Sequence, residues 1–315
     1  MARSPTAIIW SDECLGHDPG RGHPECSGRL VAARRKLEQL SLWKRCRIVE
    51  ARPAADAEIL YAHTSGHLGR VRAAAVGGGG ALDGGDTVMS AGSLEAARYA
   101  AGGAILAADL VAAGEVRSAF ALVRPPGHHA SSEAAMGFCI FNNVAIAARH
   151  LGRVRGLARV LIFDFDLHHG NGTQEIFWSD GGVFYLSLHR YPFYPGTGRR
   201  EETGAGAGSG RTLNLPLAAG TGSAEYLAAA RWALAGPAAE FAPELILVSA
   251  GFDAHAADPL GGLGLQAADY RVLARELKAV PSAGGRIASV LEGGYDLAVG
   301  LPESLAAYLE ELAEP

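Results

Sequence analysis

The stretch LIFDFDLHHGNG, residues 161–172, begins as an apolar run and ends in two aspartates and two histidines. An apolar run bounded by glycine reads as a strand covered on both faces. Ionised carboxylates at the end of such a strand are costly unless something pairs with them. Side chains of an extended chain alternate, so Asp164, Asp166 and His168 project to one side, and Phe165 and Leu167 to the other. A single Asp at a strand end is ordinarily a cap or turn residue, and a single His a satisfied core or surface group. Three such groups on one face point instead to hard oxygen and imidazole nitrogen converging on a divalent cation.

Other apolar runs end in similar fashion: LVRPPGHHA (122–130), LSLHR (186–190), VSAGFDAHAADPLGGL (248–263) and VLEGGYD (290–296). Strand-like runs stand at 6–10, 119–123, 159–166, 183–189, 245–252 and 286–294. Ala- and Leu-rich helical stretches at 93–113, 142–151, 223–241 and 301–312 separate or follow them, with Ser93 and Ser223 as expected N-caps. That alternation predicts an α/β protein, a mostly parallel sheet with helices on both faces. The carboxyl ends of parallel strands share one edge, where ligands bind, so these polar tails can converge although they are far apart in sequence. The glycine-rich segments 76–86 and 203–210 lack Rossmann spacing and the G-K-[ST] of a phosphate loop, and are expected to be flexible surface loops. Without an internal repeat or a linker, the chain is expected to form one domain over 1–315.

Lysine and arginine total 28 against 33 acidic residues, a net charge of −5 without strong blocks of one sign, so no broad basic surface for nucleic acid is implied. With 49% hydrophobic and 19% charged residues the chain is of globular composition. No run approaches the length of a membrane span and the first ten residues lack an apolar leader, so a cytoplasmic protein is the default expectation. Cys14, Cys26, Cys46 and Cys139 show no C-x-x-C spacing and read as reduced thiols, outside any thiolate zinc site.

From GHPECSGRL (22–30) through PPGHHA and FDFDLHHGNG to EGGYD (292–296), the chain resembles the histone deacetylase and acetylpolyamine amidohydrolase family, closest to its class II-like prokaryotic branch. The resemblance implies the arginase/deacetylase fold, one mostly parallel sheet of about eight strands between helical layers. It implies a single catalytic zinc held by Asp166, His168 and Asp253, an arrangement that leaves coordination positions open for water and a substrate carbonyl. By the same resemblance a structural potassium ion is held by Asp164, the Ser187 hydroxyl and backbone atoms of Leu188, Asp166 and His168. His128 and His129 are the tandem pair, His129 as general base and acid and His128 as electrostatic partner oriented by Asp164. Asn171 stands where class I relatives carry a second Asp, which leaves the protonation roles of the pair open, and Tyr295 is the implied oxyanion donor.

The resemblance also implies a narrow entrance walled by Phe138 and Tyr194, a backbone contact from Gly137 to the substrate amide, and substrate contacts from the loop carrying Asp83 and Asp86. Arg29 fits either an internal arginine at the foot of the pocket or a helix-surface residue. His17, His23, His63, His67, His150 and His169 read as structural, with His189 and His255 candidates for the pocket rim. The function implied is a zinc-dependent amidohydrolase acting on an acetylated lysine side chain or acetylated small amine, with no nucleic-acid or membrane partner. Leu260 stands where a polyamine-selective relative has an acidic gatekeeper and so favours acetyl-lysine over an acetylpolyamine. A non-catalytic acyl-lysine binding module would have lost a ligand, a tandem His or the Tyr, and none is lost.

Overall fold

The computed structural model describes residues 6–314, so the reading of the first five residues and the extreme ends of the proposed 1–315 domain lie outside the described residues. Among the described residues the strands are β1 (Thr6–Trp10), β2 (Arg47–Glu50), β3 (Gly79–Ala81), β4 (Val88–Ser90), β5 (Ser118–Ala121), β6 (Val160–Asp164), β7 (Val183–Arg190), β8 (Thr212–Leu217), β9 (Leu245–Ala250) and β10 (Ile287–Leu291). Eight form one sheet in the order β2-β1-β5-β10-β9-β6-β7-β8, with every neighbouring pair parallel. Strands β1, β5, β6, β9 and β10 are buried at every residue, as continuous apolar runs in a covered parallel sheet require.

Helices pack around this sheet. The long helix Ser93–Ala112 lies against β1, β5 and β10 and against the helix Asn143–Arg155. Gly102 lets it approach closely, since a Cβ there would stand 1.9 Å from the Arg52 carbonyl oxygen. The helices Ala267–Lys278 and Gly300–Ala313 pair with one another, and the latter also meets Gly28–Gln39. No helix among the described residues is long and apolar enough to cross a membrane.

Several local expectations are corrected. Ser93 and Ser223 are first helical residues behind Gly92 and Gly222, and neither makes a capping bond. The Ser93 hydroxyl accepts the Ser90 N–H at 2.7 Å, and the Ser223 hydroxyl donates to Asp269 at 2.5 Å. Segment 76–86 is no loose loop: it enters the antiparallel β3–β4 hairpin. Segment 203–210 is closely packed, since Cβ atoms at Gly204 and Gly208 would stand 2.1 Å from the Gly208 carbonyl oxygen and 2.5 Å from that of Trp178. The helix expected over 223–241 contains a π turn, Leu234–Ala238, around Pro237.

The sheet order places β5, β10, β9 and β6 side by side at its centre. The segments leaving their carboxyl ends carry His128 and His129, Tyr295, Asp253, and Asp166 with His168, respectively.

Candidate active site

Strand β6 stops at Asp164, so the alternation expected through His168 does not come from continued strand. The turn beyond nevertheless buries Phe165 and Leu167 in the core and brings Asp166 and His168 together with Asp253 from beyond β9. One ligand atom from each of these three lies within 4.8 Å of the others, and His168 Nδ1 is 3.1 Å from both Asp166 Oδ1 and Asp253 Oδ2. Backbone amides fix the carboxylates: Gly293 N–H donates to Asp166 Oδ2 and Leu167 N–H to Asp253 Oδ1, each at 2.8 Å. Cβ atoms at Gly251 and Gly293 would stand 2.0 Å from Asp166 Oδ2 and 2.1 Å from Asp253 Oδ2, so the close approach depends on both glycines.

The charges of this trio suit a bound cation. Burial and the neighbouring Asp166 raise the Asp253 pKa. Burial opposes the His168 charge, but Asp166 and Asp253 lift its pKa to about 9, so its Nδ1 proton lies between the two carboxylates. Two carboxylates and an imidazole competing for one proton are a donor set suited to a divalent metal ion. A second trio, His128, Cys139 and Glu292, is equally close but does not offer a ligand set. Burial holds the Cys139 thiol protonated, and Glu292 Oε2 accepts the N–H groups of Gly127 and His128 at 2.6 and 3.1 Å.

The tandem histidines have different partners. His128 Nδ1 lies 3.1 Å from Asp164 Oδ2, whereas His129 Nδ1 lies 2.8 Å from Asn171 Oδ1. Burial lowers the pKa of His128, but Asp166 and Asp164 overcome it and raise the value to about 10. Burial and the charge on His128 push His129 well below the usual histidine range. The two rings, with centroids 4.0 Å apart, are thus driven in opposite directions, His128 toward the cation and His129 toward the neutral form.

A narrow cavity of about 100 Å³ is lined by Asp86, His129, Gly137, Phe138, His168, Tyr194, Leu260 and Tyr295. It shares Asp86, His129 and Tyr194 with an outer cavity of about 450 Å³ that also touches Asp83 and Asn171. The Tyr194 ring stands edge-on to His129 at 5.3 Å, and Phe138 edge-on to Tyr295 at 5.9 Å. Arg29 is buried: its Nε donates to the Gly294 carbonyl at 2.7 Å and its guanidinium lies 4.9 Å from the Tyr295 ring centre, which removes the helix-surface alternative.

The histone deacetylase domain family matches residues 23–312. The chain belongs to the histone deacetylase family. A probable deacetylase of Archaeoglobus fulgidus is 40% identical over 94% of this chain and 83% of its own length. Histone deacetylase 14, chloroplastic, of Arabidopsis thaliana is 40% identical over 92% of this chain and 73% of its own. Histone deacetylase 5 of the same plant is also 40% identical, and the match spans 48% of its length. The crystal structure of the HDA15 HD domain superposes with a TM-score of 0.94 at 38% identity, covering 99% of this chain and 89% of that one. The eight-stranded parallel sheet surrounded by helices is the arginase/deacetylase fold of that family.

In this deacetylase fold several site-building residues lie outside the sequence-derived set. Glu292 binds the backbone before the tandem pair, and burial raises its pKa to about 7; its signal was an acid at a strand end, as at Asp164. Asp258 Oδ2 accepts the N–H groups of Tyr295 and Asp296 at 2.6 and 3.2 Å, and its Oδ1 that of Leu260 at 2.9 Å. Asn142 caps the helix Asn143–Arg155 and donates to the Ala130 carbonyl at 3.0 Å. Phe193 stacks on His168 at 5.5 Å. His23, read as structural, packs its ring against Phe138 at 4.6 Å. His189 is bound to Ser187 and the Gly198 carbonyl, His255 accepts the Ala257 N–H, and neither lines the cavities around His129.

Proposed function

We propose that the chain is a zinc-dependent amidohydrolase that removes acetyl, or another short acyl group, from the side-chain amine of acyl-lysine. The observation that carries this reading is the convergence of Asp166, His168 and Asp253 at a narrow aromatic cavity beside two histidines, one facing a carboxylate and the other a carboxamide. Zinc, when held by those three residues, would polarise the scissile carbonyl and acidify a water beside it. His129, neutral and oriented by Asn171, takes the proton of the attacking water and returns it to the leaving amine. His128, cationic on Asp164, supplies a fixed positive charge next to it. The Tyr295 hydroxyl donates to the developing oxyanion.

Phe138 and Tyr194 grip the methylenes of the lysine, and Gly137 offers its backbone to the substrate amide. Leu260 is the apolar rim residue that favours acyl-lysine over an acetylpolyamine. A potassium ion would be held by Asp164, the Ser187 hydroxyl and the backbone of Asp166, His168 and Leu188; Asp164 and Ser187 are buried register partners of β6 and β7, and oxygen ligands suit such an ion. In this reading residues 1–315 form one deacetylase domain working in the cytoplasm, in keeping with its four free cysteines, on an acylated amine and without a nucleic-acid or membrane partner.

The test separates metal from catalysis. Asp253→Ala should lose both bound zinc and turnover of an acetyl-lysine peptide. Tyr295→Phe should keep its zinc, measured by elemental analysis, and lose roughly 10²–10³ in kcat. Near-natural turnover by Tyr295→Phe would overturn the mechanism.

A further inference from the structure

Phe138 occupies a backbone conformation that a phenylalanine rarely adopts. Met136 and Cys139 exchange both backbone hydrogen bonds, at 3.1 and 2.9 Å, around a two-residue turn. Both central residues are left-handed, with φ of 55° at Gly137 and 67° at Phe138, the geometry of a type I′ turn. Glycine at 137 is required, because a Cβ there would stand 2.4 Å from the His129 ring. At the following position such turns favour glycine, and a bulky residue is held only where its surroundings over-determine it.

Those surroundings are the loop between β3 and β4. The Phe138 N–H donates to Thr87 Oγ1 at 3.1 Å. The buried Thr87 hydroxyl gives its own proton to Asp83 Oδ2 at 2.6 Å. Asp83 Oδ1 in turn accepts three backbone N–H groups, from Gly85, Asp86 and Thr87, at 3.0, 3.1 and 3.0 Å, and Leu82 N–H closes the loop on the Thr87 carbonyl. From the other side the ring of Phe138 meets His23. His23 Nδ1 accepts the Glu25 N–H, which leaves Nε2 to donate to the Asp86 carbonyl at 3.3 Å. The loop therefore holds Phe138 by its backbone through Thr87 and by its ring through His23.

We infer that Asp83 and Thr87 are positioning residues that lock Phe138 in its left-handed conformation and so set the width of the substrate channel. This rests on the proposed function, in which Phe138 is a channel wall. Neither residue reaches the candidate metal-binding trio or the tandem histidines by any of these bonds, so the lock acts through Phe138, first on substrate binding and only indirectly on the chemical step.

The experiment measures kcat and KM for an acetyl-lysine peptide, with peptide Kd by calorimetry and Tm, in the zinc-loaded enzyme and its variants. Thr87→Val, which keeps the shape and loses the hydroxyl, should raise KM and Kd by about three- to tenfold with kcat within about twofold. Thr87→Ser should restore natural values. Asp83→Ala should act in the same direction and serves if Thr87→Val does not fold; because Asp83 also lines the outer cavity, its effect supports the lock only if it vanishes in the Phe138→Ala background. In a Phe138→Ala background neither substitution should add a further effect, because their action passes through that residue. A natural KM in Thr87→Val, a loss confined to kcat, or an undiminished effect in the Phe138→Ala background overturns the inference. Natural enzyme that neither binds nor turns over the peptide overturns the proposed function with it; natural enzyme that does both, beside an unaltered Thr87→Val, overturns this inference alone.

Discussion

His128 and His129 are adjacent in sequence and driven in opposite directions: against its burial, Asp166 and Asp164 raise the pKa of the first, while burial and the charge on His128 lower that of the second. His129→Ala should retain zinc and peptide binding and lose nearly all turnover, while His128→Ala should do less harm to kcat; single-turnover rates on metal-replete protein decide between them. The reverse ranking would exchange the two roles. At Leu260 the question is substrate choice. The Leu260 side chain offers a polyamine's distal ammonium nothing in return for its hydration, and burial raises the pKa of Asp86, the carboxylate lining the same cavity, so acetylated polyamines should react less well than acetyl-lysine with the natural enzyme. Leu260→Glu adds a carboxylate. At about 5 Å and an effective dielectric of roughly 20 to 80 the attraction is about 1–3 kcal/mol, or roughly five- to a hundredfold in kcat/KM. The gain should appear for N-acetylspermidine, shrink in salt and be absent for a neutral acetyl-lysine peptide. Such residues were legible because they close strand-end motifs. Thr87 and Asn142 were not, since what they bind lies in other segments of the chain and a hydroxyl or carboxamide carries no mark of its partner.

At the scale of elements, the buried strands announced themselves and two outer ones did not. Strand β2, RIVE, lies at the sheet edge with mixed charge and mostly exposed side chains, and β8, TLNLPL, carries Pro216 at the other edge. Edge strands need neither continuous apolar character nor a full set of N–H donors, so sequence pattern fades there. The loop after β10 was legible as EGGYD, but the work of its first glycine was not. Gly293 has no left-handed requirement; its constraint is contact, because a methyl group would enter the space between Asp253 and Asp166. Gly293→Ala should therefore displace a ligand carboxylate and lower zinc content and activity together. Stoichiometric zinc and natural kcat/KM in that variant would show that the loop yields without moving either carboxylate.

For the molecule as a whole, the segment before the helix Gly28–Gln39 is tied to the sheet by a buried charge cluster. Glu25 accepts from Arg124 at 2.7 and 2.6 Å and from Arg29 at 3.1 Å, and all three side chains are buried. Burial works to raise the Glu25 pKa, yet Arg124 and His17 drive it well below the ordinary 4.5. A carboxyl depressed on folding stabilises the native state fully above its unfolded pKa, and that contribution is lost as pH falls through the folded value. Stability should thus fall as pH drops below about 4.5, with protons taken up on unfolding. Glu25→Gln should cost about 3–5 kcal/mol at neutral pH, because it strands two buried guanidiniums, and should flatten that part of the acid limb. Urea melts from pH 3 to 7 on both proteins measure it; parallel acid limbs would assign the sensitivity elsewhere.

Among the described residues the last strand in chain order is not at an edge. Strand β10 lies between β5 and β9, with the tandem histidines following one neighbour and Asp253 the other. Strands β1 to β9 alone would leave a gap in the middle of the sheet, and Glu292 and Tyr295 reach the site only as β10 fills that gap. Closure of the sheet and delivery of Glu292 and Tyr295 to the candidate site are therefore one structural event.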